Sequence, residues 1–297
     1  MGEVMTEQRY LDPILDGLPY RDSGSWARDK LDYLERYISL FETAMRNKWP
    51  KRSFIDLFAG PGKCQDRDNE EVFLGSPLIA LTTKYPFTSY WFVDNDQQYI
   101  DVLKTRCSHF DDQIDQIEIN FIHGDCNTTV GKIVEQLSPS SLNLAFLDPE
   151  GLELKWSTVE TLAKVKRMDL IINFSQSGLK RVMPNECDKT SETIIDEFFG
   201  CRKWRNIYQD YIRREEQFLT FKLLDLYKSR LYSLGYKEVR RYDSIGNEPL
   251  ISSNRNLPLY RMLFASKHPL GNDFWSKITK RELGGQTSFL NQIQDCE

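Results

Sequence analysis

The 297-residue chain lacks the patterns that announce several common functions. Its six cysteines (Cys64, Cys107, Cys126, Cys187, Cys201 and Cys296) contain no CxxC pair. Its three histidines (His109, His123 and His268) lie far apart, so the ligand spacing of a structural zinc site is missing and no metal is expected. No segment approaches the roughly 18 consecutive apolar residues of a membrane span, and the amino terminus has no apolar signal core. Free thiols in a reducing cytoplasm, away from any membrane, are the expectation. Positive charge is also in short supply: the formal net charge is −5 and the pI is near 5.5, so no global basic field attracts nucleic acid. Internal repeats and low-complexity tracts are absent. What is present is a hydrophobic fraction of 40%, enough for a large core.

Residues 1–24 mix Pro13, Gly17, Pro19 and Gly24 with charges, as a partly ordered arm does. In Trp26 to Lys48, Leu31, Leu34, Ile38, Phe41 and Met45 recur at helical spacing, which predicts an amphipathic helix ending before Pro50. From Ser53 onward, β-branched and aromatic runs alternate with helical stretches in the order of parallel βαβ units. Strands are predicted at 53–58, 90–94, 117–122, 143–147 and 169–174, and helices at 76–84, 96–107, 128–137 and 156–164. The helix at 76–84 is read as capped by Ser76, with Pro77 in its first turn. Residues 175–200 read as loop plus a short helix, 203–234 as helical, and 236–242 and 259–265 as the last two strands. Four sections follow: an arm and helix over 1–50, a ligand-binding core over 51–175, a basic helical insertion over 176–235, and two strands with a tail over 236–297.

Four strand ends carry chemistry. In Phe54-Ile55-Asp56-Leu57-Phe58-Ala59-Gly60-Pro61-Gly62 an apolar strand breaks into two glycines, which permit positive φ and let backbone N–H groups approach a ligand. Asp56 just before them is placed to accept hydrogen bonds from an amino group or from loop amides. The third glycine of a dinucleotide fingerprint is missing, and Lys63 is not followed by Ser or Thr as in a P-loop. Trp91-Phe92-Val93-Asp94, followed by Asn95, ends the next strand in a carboxylate able to take both hydroxyls of a ribose. Phe121-Ile122-His123-Gly124-Asp125-Cys126 offers a carboxylate for an adenine amino group and a neighbouring backbone N–H for a ring nitrogen, or simply a helix cap. Leu144-Ala145-Phe146-Leu147-Asp148-Pro149-Glu150-Gly151 presents a carboxylate and a free carbonyl, because proline donates no hydrogen bond. In a parallel sheet, ligands bind beyond the carboxyl ends of the strands, where these four loops would meet.

This succession resembles class I S-adenosylmethionine-dependent methyltransferases. More narrowly, Gly24-Ser25-Trp26 with Lys30 and Tyr37, Ile55 to Gly62, Gly75-Ser76-Pro77-Leu78, Asp148 to Gly151 and Leu259 to Lys267 are similar to the three-Cys-motif partner protein family. The resemblance implies a doubly wound, mostly parallel seven-stranded α/β sheet with an amino-terminal helix and a helical insertion before the last two strands. It also implies S-adenosylmethionine as cofactor and a bacterial or phage partner bearing a three-cysteine motif. Carried onto this chain, it assigns Lys30, Asp56, Phe58, Ala59, Gly60, Gly62, Asp94, Asn95, Asp125 and Cys126 to the cofactor, with Lys30 meeting its carboxylate. Asp148 and Pro149 are assigned to catalysis on an amino nitrogen.

Two departures stand out. Thirty-eight residues separate Asp56 from Asp94, where roughly 20 is usual between glycine loop and ribose acid, which predicts an inserted loop at 63–75. Glu150-Gly151 replaces the aromatic that stacks on a flipped base in amino-methylating enzymes, leaving Phe174 or Trp156 to serve. Over 203–241, ten basic residues stand against five acidic ones, interleaved with Trp204, Tyr208, Tyr211, Phe218 and Tyr227. That stretch is a solvated helical face or a contact for nucleic acid. Two readings stay open: methyl transfer to an amino nitrogen of a nucleic-acid base, or a non-catalytic, regulatory binding protein acting with its three-Cys-motif partner. Nicotinamide-dependent oxidation, with its fingerprint incomplete, ranks behind both.

Overall fold

The computed structural model describes residues 10–108, 110, 117–214, 218–240 and 248–280. Strand β1 (Arg21–Ser23) leads into helix α1 (Trp26–Met45), whose apolar positions Leu31, Leu34, Ile38, Phe41 and Met45 are buried as their spacing requires. Next come β2 (Arg52–Asp56), a hairpin of β3 (Lys63–Asp66) and β4 (Val72–Leu74), and a short helix α2 (Ser76–Leu81). Strands β5 (Ser89–Asp94), β6 (Glu118–His123), β7 (Leu142–Leu147) and β8 (Met168–Ser175) are separated by α3 (Gln97–Cys107), α4 (Cys126–Gln136) and α5 (Trp156–Ala163). The chain continues through α6 (Gln176–Glu186), α7 (Ile194–Phe199), α8 (Lys203–Ile212) and α9 (Leu219–Ser233). It ends with β9 (Leu250–Ser252), β10 (Pro258–Ala265) and α10 (Pro269–Thr279).

The main sheet has the order β6-β5-β2-β7-β8-β10-β9, parallel from β6 to β8, with β10 antiparallel to both β8 and β9. This is the expected α/β fold with a seven-stranded, mostly parallel sheet. The order reverses at β2, so β5 and β7 flank the first strand and leave a crevice at its carboxyl end. One face of the sheet packs on α1, α2, α3 and α10 through Phe54, Phe92, Phe146, Ile171 and Phe264; the other packs on α4 to α9 through Ile55, Val93, Ala145, Ile172 and Phe174. Alternation along each strand divides the two cores.

Three expectations need correction. The segment at 63–75 is no simple loop: β3 and β4 pair antiparallel, and β1 adds to β3 in parallel, forming a small second sheet. Residues 237–240 wind into a 3-10 turn, not a strand. The penultimate strand is Leu250–Ser252 instead, three residues at the sheet edge; residues 241 and 242 of the predicted strand lie outside the described residues. The stretch read as loop plus short helix contains two helices, α6 and α7, the second closed by a Thr193–Asp196 capping box and by Gly200 in the left-handed region. No helix among the described residues is long and apolar enough to cross a membrane, and no cluster of metal-ligating side chains occurs among them.

Candidate functional site

At the end of β2 the chain turns through Gly60 (φ 62°) and Gly62 (φ 89°), both left-handed. A Cβ at Gly62 would stand 2.8 Å from Leu103 and 3.2 Å from Leu78, so only glycine fits. The hairpin then leaves and returns: Gly75 N–H donates to the Gly62 carbonyl at 2.7 Å. Although the inserted residues lengthen the chain, α2 therefore starts beside the glycine loop. Gly75, not Ser76, caps it, and the Ser76 hydroxyl bonds to Asp56 instead.

Asp56 lies beneath the turn, fully buried. Its Oδ1 accepts the Phe58 N–H at 3.1 Å, while Oδ2 is buried with no partner among the described residues. Burial pushes its carboxyl up to about 7, against the Ser76 hydroxyl and Phe58 amide that hold it down. Asp94 accepts the Gly60 N–H on Oδ2 at 2.8 Å and the Asp96 N–H on Oδ1 at 2.9 Å, which ties the ends of β2 and β5 together. The next link runs from Gly124 N–H to the Asp94 carbonyl at 2.9 Å, with His123 Nε2 3.1 Å from the Asn95 carbonyl. Asp125 is exposed and caps α4, accepting from Asn127 N–H at 2.8 Å and Thr128 N–H at 3.1 Å. Cys126, buried behind it, has its thiol raised to about 12 by burial and by the charge of Asp125.

Across the crevice, at the end of β7, Asp148 forms an ion pair with Lys30 of α1, Nζ lying 2.6 Å from Oδ2 and 2.8 Å from Oδ1. The Asn173 amide of β8 donates to the same Oδ1 at 2.7 Å, leaving its own Oδ1 buried with no partner among the described residues. Pro149 behind Asp148 is buried. Glu150 receives two hydrogen bonds from Arg21, at 3.1 and 2.7 Å. Burial would depress that guanidinium, but the Glu150 hydrogen bonds and the charges of Glu150 and Asp148 raise it. The Tyr260 hydroxyl reaches the Glu150 carbonyl at 3.3 Å, its ring centre 5.7 Å from Lys30 Nζ, and burial with Asp148 and Glu150 nearby lifts it to about 12.

These groups enclose a cavity of about 240 Å³, its walls formed by Lys30, Phe58, Ala59, Gly60, Gly62, Gly75, Ser76 and Asp148, together with Arg21, Trp26, Glu150 and Tyr260. Asp56 and Asp94 support its wall from behind. Asn95, Asp125 and Cys126 lie beyond it along the same strand edge and do not line it. Arg21 and Asn173 belong to no sequence motif, and Tyr260 only to the family-like segment 259–267; they join the site from β1, β8 and β10. Phe174 and Trp156 cannot stack on a ligand here: both are buried, packed edge-on against Tyr227 in the opposite core.

Of the basic stretch, Arg205 is bound to Asp196 and Lys228 to buried Glu248, and Arg230 lies over the Trp156 ring. Trp204, Tyr208 and Tyr227 are buried, whereas Tyr211 and Phe218 are exposed beside exposed Arg213, Arg214 and Lys222. Arg241 lies outside the described residues.

No protein-family model and no curated protein matches the chain. Among solved structures it is similar to a Legionella pneumophila protein of the DUF519 family (9% identity, 53% of this chain and 74% of that one, TM-score 0.37). A second is a Thiobacillus denitrificans S-adenosylmethionine-dependent methyltransferase in complex with S-adenosylhomocysteine (14% identity, 89% and 98%, TM-score 0.33). A third is a Methanococcus maripaludis protein assigned as such a methyltransferase (11% identity, 82% and 96%, TM-score 0.27).

Proposed function

We propose that the chain binds S-adenosylmethionine along the carboxyl edge of the sheet and methylates an amino nitrogen of a nucleic-acid base. One observation carries the reading: a turn with two left-handed glycines, tied to Asp94 through the Gly60 N–H, faces Asp148 across a polar cavity. The residues fit the cofactor. The wall at Gly62 admits no Cβ, the buried Asp56 Oδ2 lacks a partner among the described residues, and each Asp94 oxygen keeps a lone pair for a ribose hydroxyl.

When bound, the cofactor supplies an electrophilic methyl group on its sulfonium. Phe58, Ala59, Gly60 and Gly62 would hold its amino-acid end, Asp94 and Asn95 its ribose, and Asp125 and Cys126 its base. Asp148 and the Pro149 carbonyl accept the N–H groups of the acceptor amine and turn its lone pair toward the methyl carbon. Asp148 would be the group that takes up the proton the acceptor nitrogen sheds. Catalysis by position and exclusion of water suffices, and no nucleophilic side chain is needed. Tyr260, lining the cavity, supplies the aromatic face missing after Pro149. Exposed Tyr211 and Phe218 among arginines and lysines support a polynucleotide substrate, since rings stack bases and cations hold phosphates.

The Lys30–Asp148 ion pair favours a second reading, a binding protein acting with a three-Cys-motif partner, because it engages the carboxylate that would align the acceptor. Incubation with labelled methyl donor and total cellular nucleic acid separates the two. Label entering nucleic acid with wild type, and falling at least 100-fold with Asp148→Ala, supports transfer. Cofactor binding without label in any acceptor supports the binding protein. Calorimetry that finds no heat with S-adenosylmethionine removes both.

A further inference from the structure

A second and larger cavity, about 600 Å³, opens at the opposite edge of the sheet, where β7 and β8 begin and β10 ends. Its walls are apolar and aromatic: Tyr37, Phe41 and Met45 of α1, Trp49, Met168 and Phe274. Cavities of 300–1,000 Å³ with such walls and few polar groups are the usual form of small-molecule sites, whereas close-packed interiors leave few voids larger than a water molecule.

The polar groups at this cavity are lopsided in charge. Lys48 and Lys166 stand exposed at its mouth with no acidic partner among the described residues, and Arg167 lies over the Trp49 ring, its guanidinium 4.6 Å from the ring centre. Lys267 is taken up by the Ala163 and Val165 carbonyls. The single carboxylate, Asp169, is already satisfied: the Tyr37 hydroxyl donates to it at 3.1 Å and the Ser266 hydroxyl bonds to it as well. It therefore makes no demand for a cation.

We infer that this cavity binds an amphipathic carboxylate, its hydrocarbon or aryl body among Phe41, Met45, Trp49 and Phe274 and its anionic head between Lys48 and Lys166. The site is independent of methyl transfer, since none of these residues touches the crevice at Gly60. The apolar body supplies affinity through buried area, and the lysines select the sign of the head group.

Calorimetry on the full chain with dodecanoate tests this, with dodecyltrimethylammonium as the cation of matched chain length. Saturable binding of dodecanoate is expected, at least tenfold tighter than the ammonium. The surface double variant Lys48→Glu/Lys166→Glu is expected to weaken dodecanoate binding at least tenfold with an unchanged melting temperature. Met45→Trp, which fills the cavity, is expected to weaken both ligands. Absence of saturable dodecanoate binding overturns the inference, as does equal binding of the two amphiphiles or full affinity in the charge-reversed variant.

Discussion

Asp56 shows how much a single buried side chain can dictate. Its carboxyl, ordinarily near 3.8, is raised by burial to about 7, so the folded chain holds a proton there that the unfolded chain has released. Stability from this group is therefore full below the unfolded value and is lost as pH rises from about 4 to about 7. Glu42, also raised to about 7 by burial in spite of Arg52, and Asp169, raised to about 6, contribute with the same sign. Asp16 contributes with the opposite sign: although buried, it is held low by Arg106 and Lys63, and its share is lost in acid. Asp56→Asn removes one of these dependences. Between pH 5 and pH 8, wild type should lose roughly 2 kcal/mol more stability than the variant, measured by urea unfolding at each pH; equal losses would place the Asp56 carboxyl in its normal range. Asp56, Gly60, Gly62 and Asp148 could be read from sequence because each sits in a contiguous strand-to-loop motif. Lys30 was tied to the site only by family resemblance, and it meets Asp148, not the open cavity alone. Asn173 gives no local signal, and Tyr260 only its place in the family-like segment 259–267, because their importance comes from register: Tyr260 lies opposite Ser175, and Met262 opposite Asn173, so β10 brings Tyr260 to the end of β8 that carries Asn173.

At the scale of elements, apolar periodicity predicted the long amphipathic α1 and the strands buried on both faces, where a single residue type dominates. It failed where the local sequence is mixed. Helix α6 carries Gly178 and Pro184, both poor helix formers, yet tertiary packing of Leu179 and Met183 holds it. Three-residue β9 is too short to show any alternation. The glycine turn gives the sharpest test of an element. Gly62→Ala would force a side chain onto Leu103 and Leu78 at a left-handed φ, and a weakening of S-adenosylmethionine binding by at least tenfold is expected by calorimetry, with the far-ultraviolet circular dichroism retained. Normal affinity in that variant would disconnect the turn from the ligand. Gly200 closes α7 with its α-carbon against the Trp156 ring, where a Cβ would come within 2.4 Å. Gly200→Ala is expected to lower stability by about 1–3 kcal/mol in chemical denaturation and leave ligand affinity unaltered.

For the whole molecule, the order of the seven strands decides what the linear motifs can do. Parallel pairing from β6 to β8 sends Asp56, Asp94, His123 and Leu147 to one edge, so loops separated by dozens of residues become neighbours. The βαβ rhythm of the sequence predicts that convergence but not the small second sheet, since β1 and β3 pair across an intervening helix. The segment before β1 is held by a buried trio. Asp16 lies 2.9 Å from both Lys63 Nζ and Arg106 Nε, and all three side chains are sealed from solvent. Arg106 also donates to the Pro61 carbonyl, in the middle of the glycine turn. Beginning the chain at residue 24 would remove that carboxylate together with the segment that covers Lys63 and Arg106, at a penalty of about 3–5 kcal/mol by the usual cost of breaking such a pair. The shortened protein is expected to melt lower and to open first around Pro61, visible as fast amide exchange there. Asp16 and the strand that follows it thus act as a keystone for a turn encoded about forty residues later, and expression tags or fusions should be joined ahead of that segment, never in place of it.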